Sequence, residues 1–293
     1  MNSILLLSDK SSGSTAFQYE VARHPDVSLL NETDHNDHES LYWLKVACAF
    51  NRNKADYYQS KVPYSRNEAL EQIARLAELN TGRGRRVESL ADAGRLWDEI
   101  VEKHEGILFE KSPHHLNNWA ASLALMHYVQ ARRDQVRIIG LVRNPCAVVY
   151  STWDRWASEI QTRQFLWAAT QRNLLALKAA LPDECVFLVR YEDLIAEPVE
   201  QFAKVQSFLG LQHSSLLGTG IHDRSRSKWL EDESFAFELD PSVKTLAESF
   251  GYSEEDLHIP PRPAPDRLEV LSRQLRQRAR RAKHDIARLV RNR

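Results

Sequence analysis

The first fifteen residues constrain this chain most. Ile4-Leu5-Leu6-Leu7 is a short, uninterrupted apolar run, and Ser8-Asp9-Lys10-Ser11-Ser12-Gly13-Ser14-Thr15 follows it directly. Such a run is the pattern of a strand buried on both faces, and the Ser/Gly/Thr cluster that of a tight turn opening into a helix. A turn of this kind aims backbone N–H groups and a helix N-terminus at one point, with hydroxyls and an ammonium beside them. That is a cradle for a phosphate or sulfate, and a turn holding no ligand is the competing reading. A Walker A loop needs Gly, four residues, then Gly-Lys-Ser/Thr, whereas here a single Gly follows its Lys. The loop therefore argues against an ordinary Mg-dependent NTPase.

Beyond the turn, strand and helix patterns alternate. Strands are expected over 27–30, 107–109, 137–142 and 186–190, and helices over 16–23, 41–50, 67–79, 89–104, 145–156, 159–180 and 199–209. Ser89 and Asp92 form a capping-box pattern, Gly210 stops the last of these helices, and Phe165, Trp167, Leu174 and Leu177 are expected in the core. The alternation predicts an α/β fold of P-loop NTPase-like type. It has a central parallel sheet of about five strands with helices on both faces, and a helical insertion over about 41–105. Ligands bind such sheets at the carboxyl ends of the strands. That geometry singles out Lys10 with Ser12 to Thr15, Glu32, Lys111, and Arg143 with Ser151 eight residues on. An arginine fork with a hydroxyl suits a second phosphate.

Composition sets the outer bounds. A chain of 293 residues with 43% apolar and 27% charged content is a soluble globular protein of one large or two small domains. No apolar run approaches the roughly 18 residues of a membrane span. The N-terminus has neither a basic nor a long apolar region of a signal peptide, which leaves Ile4–Leu7 to be structural. Cys48, Cys146 and Cys185 are scattered and odd in number, which reads as reduced cysteines in a cytoplasmic protein. No His/Cys cluster has zinc-ligand spacing, and no metal is expected. Residues 262–293 carry 11 Lys/Arg against 3 Asp/Glu, leaving 28 against 37 for residues 1–261. A Pro-rich segment at 260–265 separates this basic tail from an acidic body at 1–261, and Leu268, Leu271, Leu275, Ala279, Ala282, Ile286 and Leu289 recur in the tail at helical spacing. A basic amphipathic C-terminal helix can lie on anionic lipid as a peripheral membrane contact, meet a protein partner or pack on the acidic body. The alanine-diluted stripe favours packing or a protein partner, and no nucleic-acid partner is expected. Two further basic stretches, Thr81-Gly82-Arg83-Gly84-Arg85-Arg86 and the segment with His222, Arg224, Arg226 and Lys228, are read first as solvated loops, with an anionic ligand as the alternative.

Taken in order, these motifs resemble the sulfotransferases that use 3′-phosphoadenosine 5′-phosphosulfate (PAPS). Ser11-Ser12-Gly13-Ser14-Thr15 is similar to the family's 5′-phosphosulfate loop, with the basic residue one position earlier than usual, at Lys10. Arg143 with Ser151 matches the family's pair for the 3′-phosphate, and Arg190-Tyr191-Glu192-Asp193-Leu194 followed by Phe208-Leu209-Gly210-Leu211 resembles a further, mainly structural landmark. Asn31-Glu32 and Glu110-Lys111-Ser112-Pro113 are similar to the segments that supply the catalytic base and a catalytic lysine in glycan-modifying members. The resemblance implies a sulfuryl transfer from PAPS to a hydroxyl acceptor, a carbohydrate or glycolipid, by in-line displacement without a metal. Glu32 is the first candidate base and His35 the second, while Lys111 and Lys10 neutralise charge. Sulfation of a small-molecule alcohol, a kinase-like P-loop enzyme and a non-catalytic nucleotide-binding protein are the alternatives.

Overall fold

The computed structural model describes residues 1–30, 32–33, 35–50, 65–221 and 227–262, with Leu271, Ser272, Leu275 and Ala279 beyond them. Asn31, Asp34, His222, Arg224, Arg226 and most of the expected tail helix lie outside the described residues. The chain divides into two compact units. The first is Met1–Val142 with Thr170–Ile221, and the second is Arg143–Ala169 with the described residues from 227 onward.

The first unit opens with β1 (Ser3–Ser8), α1 (Ser14–Val21) and β2 (Val27–Leu29). The insertion follows as α2 (Tyr42–Phe50), α3 (Arg66–Thr81) and α4 (Leu90–Glu102), then β3 (Ile107–Lys111), α5 (Trp119–Gln130) and β4 (Val136–Val142). In the second unit α6 (Pro145–Trp156) leads to α7 (Ile160–Ala180), whose residues from Thr170 belong to the first unit again. β5 (Val186–Arg190), α8 (Tyr191–Ala196) and α9 (Pro198–Leu209) complete the first unit, and α10 (Lys228–Glu231), α11 (Pro241–Glu248) and α12 (Glu254–Leu257) belong to the second.

The sheet is a five-stranded parallel one in the order β2-β3-β1-β4-β5. β1 is central: Leu6 lies opposite Lys111 of β3 on one side and Ile139 of β4 on the other. A central strand is covered on both faces, which is why Ile4 to Leu7 can be uniformly apolar and fully buried. From β1 the chain runs outward to β2, returns to β3 and then crosses to β4, so the ends of β1 and β3 flank the point where the winding reverses. Phe17 of α1 packs on Phe109 and Phe202 beneath this edge, with ring centroids 6.4 and 5.3 Å away. The insertion carries its own aromatic core, in which Tyr42 meets Trp97 and Trp43 meets Tyr128, each at 4.7 Å. Among the described residues no helix is long and apolar enough to cross a membrane.

The expected elements appear with shifts of one or two residues. The consequential shift is in β3, which extends to Lys111 and carries that side chain into full burial. At α4, Ser89 accepts the Asp92 N–H at 3.1 Å, but the Asp92 carboxylate turns to the Glu88 N–H and to Arg85, leaving only half of the capping box. Arg85 is thereby committed to Asp92 and Glu99, at 2.9 and 3.4 Å, and Gly82 closes α3 in the left-handed region. The loop at 81–86 is thus built around internal pairing. Phe165 corrects the expected core: it is 46% exposed, because Gln164, Trp167, Gln171 and Leu174 form the buried stripe of α7 and Phe165 points away from it.

The carboxylate of Glu20, buried on α1, accepts the N–H groups of Gly218 and Gly220 at 2.7 and 3.0 Å and pairs with Arg23 at 3.0 Å. It ties the first helix to the loop after α9. Glu20→Ala strands both amides, each at a cost of about 1–3 kcal/mol, and should lower the unfolding free energy by about 2 kcal/mol or more in urea titrations. A change below about 0.5 kcal/mol, the range of ordinary surface substitutions, would contradict this role.

Candidate active site

The loop after β1 folds on itself before α1 begins. The carboxylate of buried Asp9 accepts the Lys10 N–H at 2.7 Å, and its carbonyl accepts the Ser12 N–H at 3.3 Å. Ser11 and Gly13 both take left-handed backbone angles, with φ of 68° and 86°. At Gly13 a side chain is also excluded sterically, since a Cβ there would come within 2.3 Å of the Tyr191 ring. This gives the Arg190-Tyr191 landmark a local purpose: the first residue of α8 closes over the loop glycine. No side chain caps α1, whose first turn presents its amides beside the hydroxyls of Ser14 and Thr15, and the buried Ser12 Oγ has no partner among the described residues. Uncapped amides, the unpartnered Ser12 hydroxyl and a neighbouring cation match an anionic ligand.

The cation reaching the loop is Lys111. Its side chain is fully buried, and its Nζ lies 3.3 Å from Thr15 Oγ1 and 2.7 Å from Glu39 Oε1. Glu39 comes from the loop that follows β2, and its neighbours are each anchored. The His38 ring meets the Leu30 carbonyl at 3.0 Å, Ser40 donates to Glu110 at 2.7 Å, and the Leu41 N–H donates to Ser112 Oγ at 2.9 Å. Asp37, His38 and Leu41 all hold positive φ, between 50° and 59°. Three non-glycine residues in this region within five positions are held there by the contacts around them.

Glu110, beside Lys111 on the strand, is completely buried and accepts from the hydroxyls of Ser40 and Ser112, with the His115 Nε2 3.4 Å away. Burial pushes its carboxyl up, but the His115 charge and the hydroxyl donors outweigh it and hold the group below its ordinary 4.5. His114 shows the opposite setting. Burial first, and then the positive charges of Lys10, His35, His115 and Lys111, depress it from 6.5 to about 3. Those four groups, two lysines and two imidazoles, therefore face one buried imidazole, which stays neutral. Lys10, although one position out of the family register, belongs to this cationic cluster together with Lys111.

The other expected site residues are placed as follows. The Glu32 side chain is exposed, and its backbone carbonyl accepts from Asn80 Nδ2 at 2.9 Å. The His35 carbonyl accepts from Thr33 Oγ1 at 2.9 Å, and its ring acts on His114 as described. Arg143, directly after β4, is buried in the second unit, where its carbonyl accepts the Trp167 indole N–H at 3.0 Å. Asn144 caps α6 by accepting from the Cys146 N–H at 2.8 Å, which fixes the helix that carries Ser151. Asp193 is engaged by Arg190 through two contacts at 2.9 and 2.6 Å. Glu39 and His114, which the motifs did not single out, meet Lys111 and the surrounding charged groups. Among the described residues no group of three His, Cys, Asp or Glu side chains is arranged to hold a metal.

Both perturbed groups make the fold acid-sensitive, in separate windows. His114 binds its proton in the unfolded chain at 6.5 but in the fold only near 3, so stability falls as pH drops from 6.5 towards 3. Glu110 contributes fully above 4.5 and loses its contribution as pH falls through its lowered value. In urea denaturation at a series of pH values, His114→Gln should flatten the decline between 6.5 and 4.5, and Glu110→Gln should remove part of it only below 4.5. An unaltered decline in either variant would remove that group from the account.

Comparison with known proteins agrees with this geometry. A family model described as the sulfotransferase family matches residues 4–215. Among solved structures, the sulfotransferase domain from the curacin biosynthetic pathway superposes with a TM-score of 0.59 at 17% identity, over 88% of this chain and 98% of its own. The sulfotransferase domain of the olefin synthase from Synechococcus PCC 7002 superposes with a TM-score of 0.60 at 20% identity, over 86% and 95%. At these identities the superpositions speak for the fold. A search of curated proteins gave no match. The family match spans all five strands and the loops that carry Lys10, Lys111 and Arg143, and on it the chain belongs to the sulfotransferase family.

Proposed function

We propose that this sulfotransferase takes its sulfuryl group from PAPS and passes it to a hydroxyl of a carbohydrate or glycolipid. The observation that carries the proposal is Lys111, a fully buried lysine whose Nζ lies 3.3 Å from Thr15 Oγ1 in a loop with uncapped helix amides. A buried cation beside free donors is the environment that a phosphosulfate requires, and the residues present fit one.

PAPS supplies the sulfuryl group and leaves as the 3′,5′-bisphosphate. Around it the amides of Gly13 to Thr15 and the hydroxyls of Ser11, Ser12, Ser14 and Thr15 hold the 5′ end. Lys111 and Lys10 neutralise the sulfuryl oxygens and the leaving phosphate. Arg143 and Ser151 take the 3′-phosphate, the guanidinium as a fork and the hydroxyl as a donor. A base from the loop after β2, in which Glu32 and His35 are the residues matched to the family pattern, removes the acceptor proton as the oxygen attacks sulfur in line. No step needs a metal. The chain lacks Gly-Lys-Ser/Thr, which speaks against the kinase-like alternative. Three scattered, buried cysteines favour a reducing, cytoplasmic setting, and the basic tail supplies the surface for a protein partner or a membrane.

Incubation of the purified chain with sulfur-labelled PAPS and a cell extract should place label on a hydroxyl-bearing product without added Mg. Label on small alcohols alone would replace the carbohydrate acceptor, and an absolute Mg requirement would favour the kinase-like enzyme. Arg143→Ala should weaken PAPS and bisphosphate binding about tenfold or more in calorimetry, as expected for a lost charge-assisted contact. Unchanged affinity would remove Arg143 from the site.

A further inference from the structure

We infer that Glu39 is the proton acceptor of the transfer, and that Lys111 holds its carboxylate as an internal stand-in until the sulfuryl group takes its place. The inference rests on the PAPS-dependent reading above. It begins from the geometry of one ammonium. Lys111 Nζ is a buried cation in contact with the loop after β1, and its ion-pair partner is Glu39 Oε1 at 2.7 Å. The sulfuryl oxygens carry negative charge and need this same cation, so cofactor and Glu39 compete for one Nζ.

The competition has a chemical consequence. Burial already pushes the Glu39 carboxyl above its ordinary 4.5 against the pull of Lys111, and the negative charges of Asp37 and Glu110 add to the rise. Lys111 from β3 is the principal group that restrains it, while Asp37 from its own loop and Glu110 from β3 oppose ionisation. Once a sulfuryl oxygen occupies Lys111, that restraint weakens and the carboxylate becomes a stronger base inside a shielded site. A general base works best when its affinity for protons approaches the working pH, and here it would gain that affinity only with donor in place. The acceptor proton then moves to Glu39 while the acceptor oxygen forms its bond to sulfur. The sulfur–oxygen bond to the 5′-phosphate breaks with its electron pair on the phosphate, and Lys10 and Lys111 face the resulting charge.

The architecture of the loop supports a dedicated position. His38 on one side of Glu39 is held to the end of β2, and Ser40 and Leu41 on the other are held to Glu110 and Ser112. Left-handed backbone at Asp37, His38 and Leu41 steers this segment over the end of β3. The Glu39 side chain remains 19% exposed while Lys111 is fully buried, so the carboxylate lies on the side from which an acceptor can approach. Glu32 belongs to the same loop but points to solvent.

The test compares Glu39→Gln, Glu39→Asp and Glu32→Gln for PAPS affinity by calorimetry and for transfer to the acceptor identified with labelled PAPS. Glu39→Gln removes the competing charge and should bind PAPS as tightly as wild type or severalfold more tightly, while transfer falls about 100-fold or more. A loss of about 100-fold in transfer by Glu32→Gln, with Glu39→Gln near wild type, would return the base to Glu32. Glu39→Asp keeps a charge beside Lys111, and thus the fold, but draws the base back; its transfer should fall about tenfold or more at unchanged affinity. Near-normal transfer by Glu39→Gln or Glu39→Asp would overturn the assignment, as would a parallel loss of affinity and transfer, the mark of a structural role. A wild-type chain that binds no PAPS would instead overturn the parent reading.

Discussion

A lysine on the last residue of a core strand, with no exposed surface, is the constraint around which this site is built. Leaving such a charge unpaired in the interior costs several kcal/mol, and removing one partner of a buried pair typically costs about 3–5 kcal/mol. Lys111 meets that demand with Glu39 at 2.7 Å and with a hydroxyl of the phosphate loop. The loop after β2 lies along the end of β3: Glu39 meets Lys111, Ser40 meets Glu110, and the Leu41 amide meets Ser112. Adjacent residues of a strand point to opposite faces, so this ladder engages both sides of β3 and fixes the loop in two directions.

Electrostatics divide the site into two compartments. On one side Glu110 is held below its ordinary value by His115 and two hydroxyls, and through Ser40 and Ser112 it joins the strand end to the loop after β2. On the other, Lys10, His35 and Lys111 face a neutral His114, and the helix amides of α1 lack a capping side chain. Positive charge gathered around a buried imidazole is costly to fold, and an arriving anion offsets it.

Much of the fold was legible from residue pattern. The all-apolar Ile4–Leu7 run specified a central strand because only a strand covered on both faces tolerates it, and Gly210 and Ser89 marked helix ends through local geometry that no tertiary contact overrides. Lys10, Lys111 and Arg143 could be placed at strand ends because a parallel sheet puts every carboxyl end on one edge. What spacing could not supply is the path of a loop. Glu32 and Glu39 lie seven residues apart on one connection, and which of them meets Lys111 depends on positive φ at Asp37, His38 and Leu41, none of them a glycine. His114 was equally opaque, since its surroundings come from separate segments that meet only in the fold. Phe165 failed as a core residue because an aromatic in a long helix says nothing about which stripe is covered.

In the proposed reaction Lys111 exchanges one anion for another. The most direct measurement is a crystal structure of the full chain with PAPS bound and no acceptor present. It should show a sulfuryl oxygen at hydrogen-bond distance, about 3 Å, from Lys111 Nζ, and the Glu39 carboxylate released from its 2.7 Å contact and turned toward open space beside the sulfur. A Lys111–Glu39 pair still closed at 2.7 Å, with the sulfuryl group held by other residues, would contradict it.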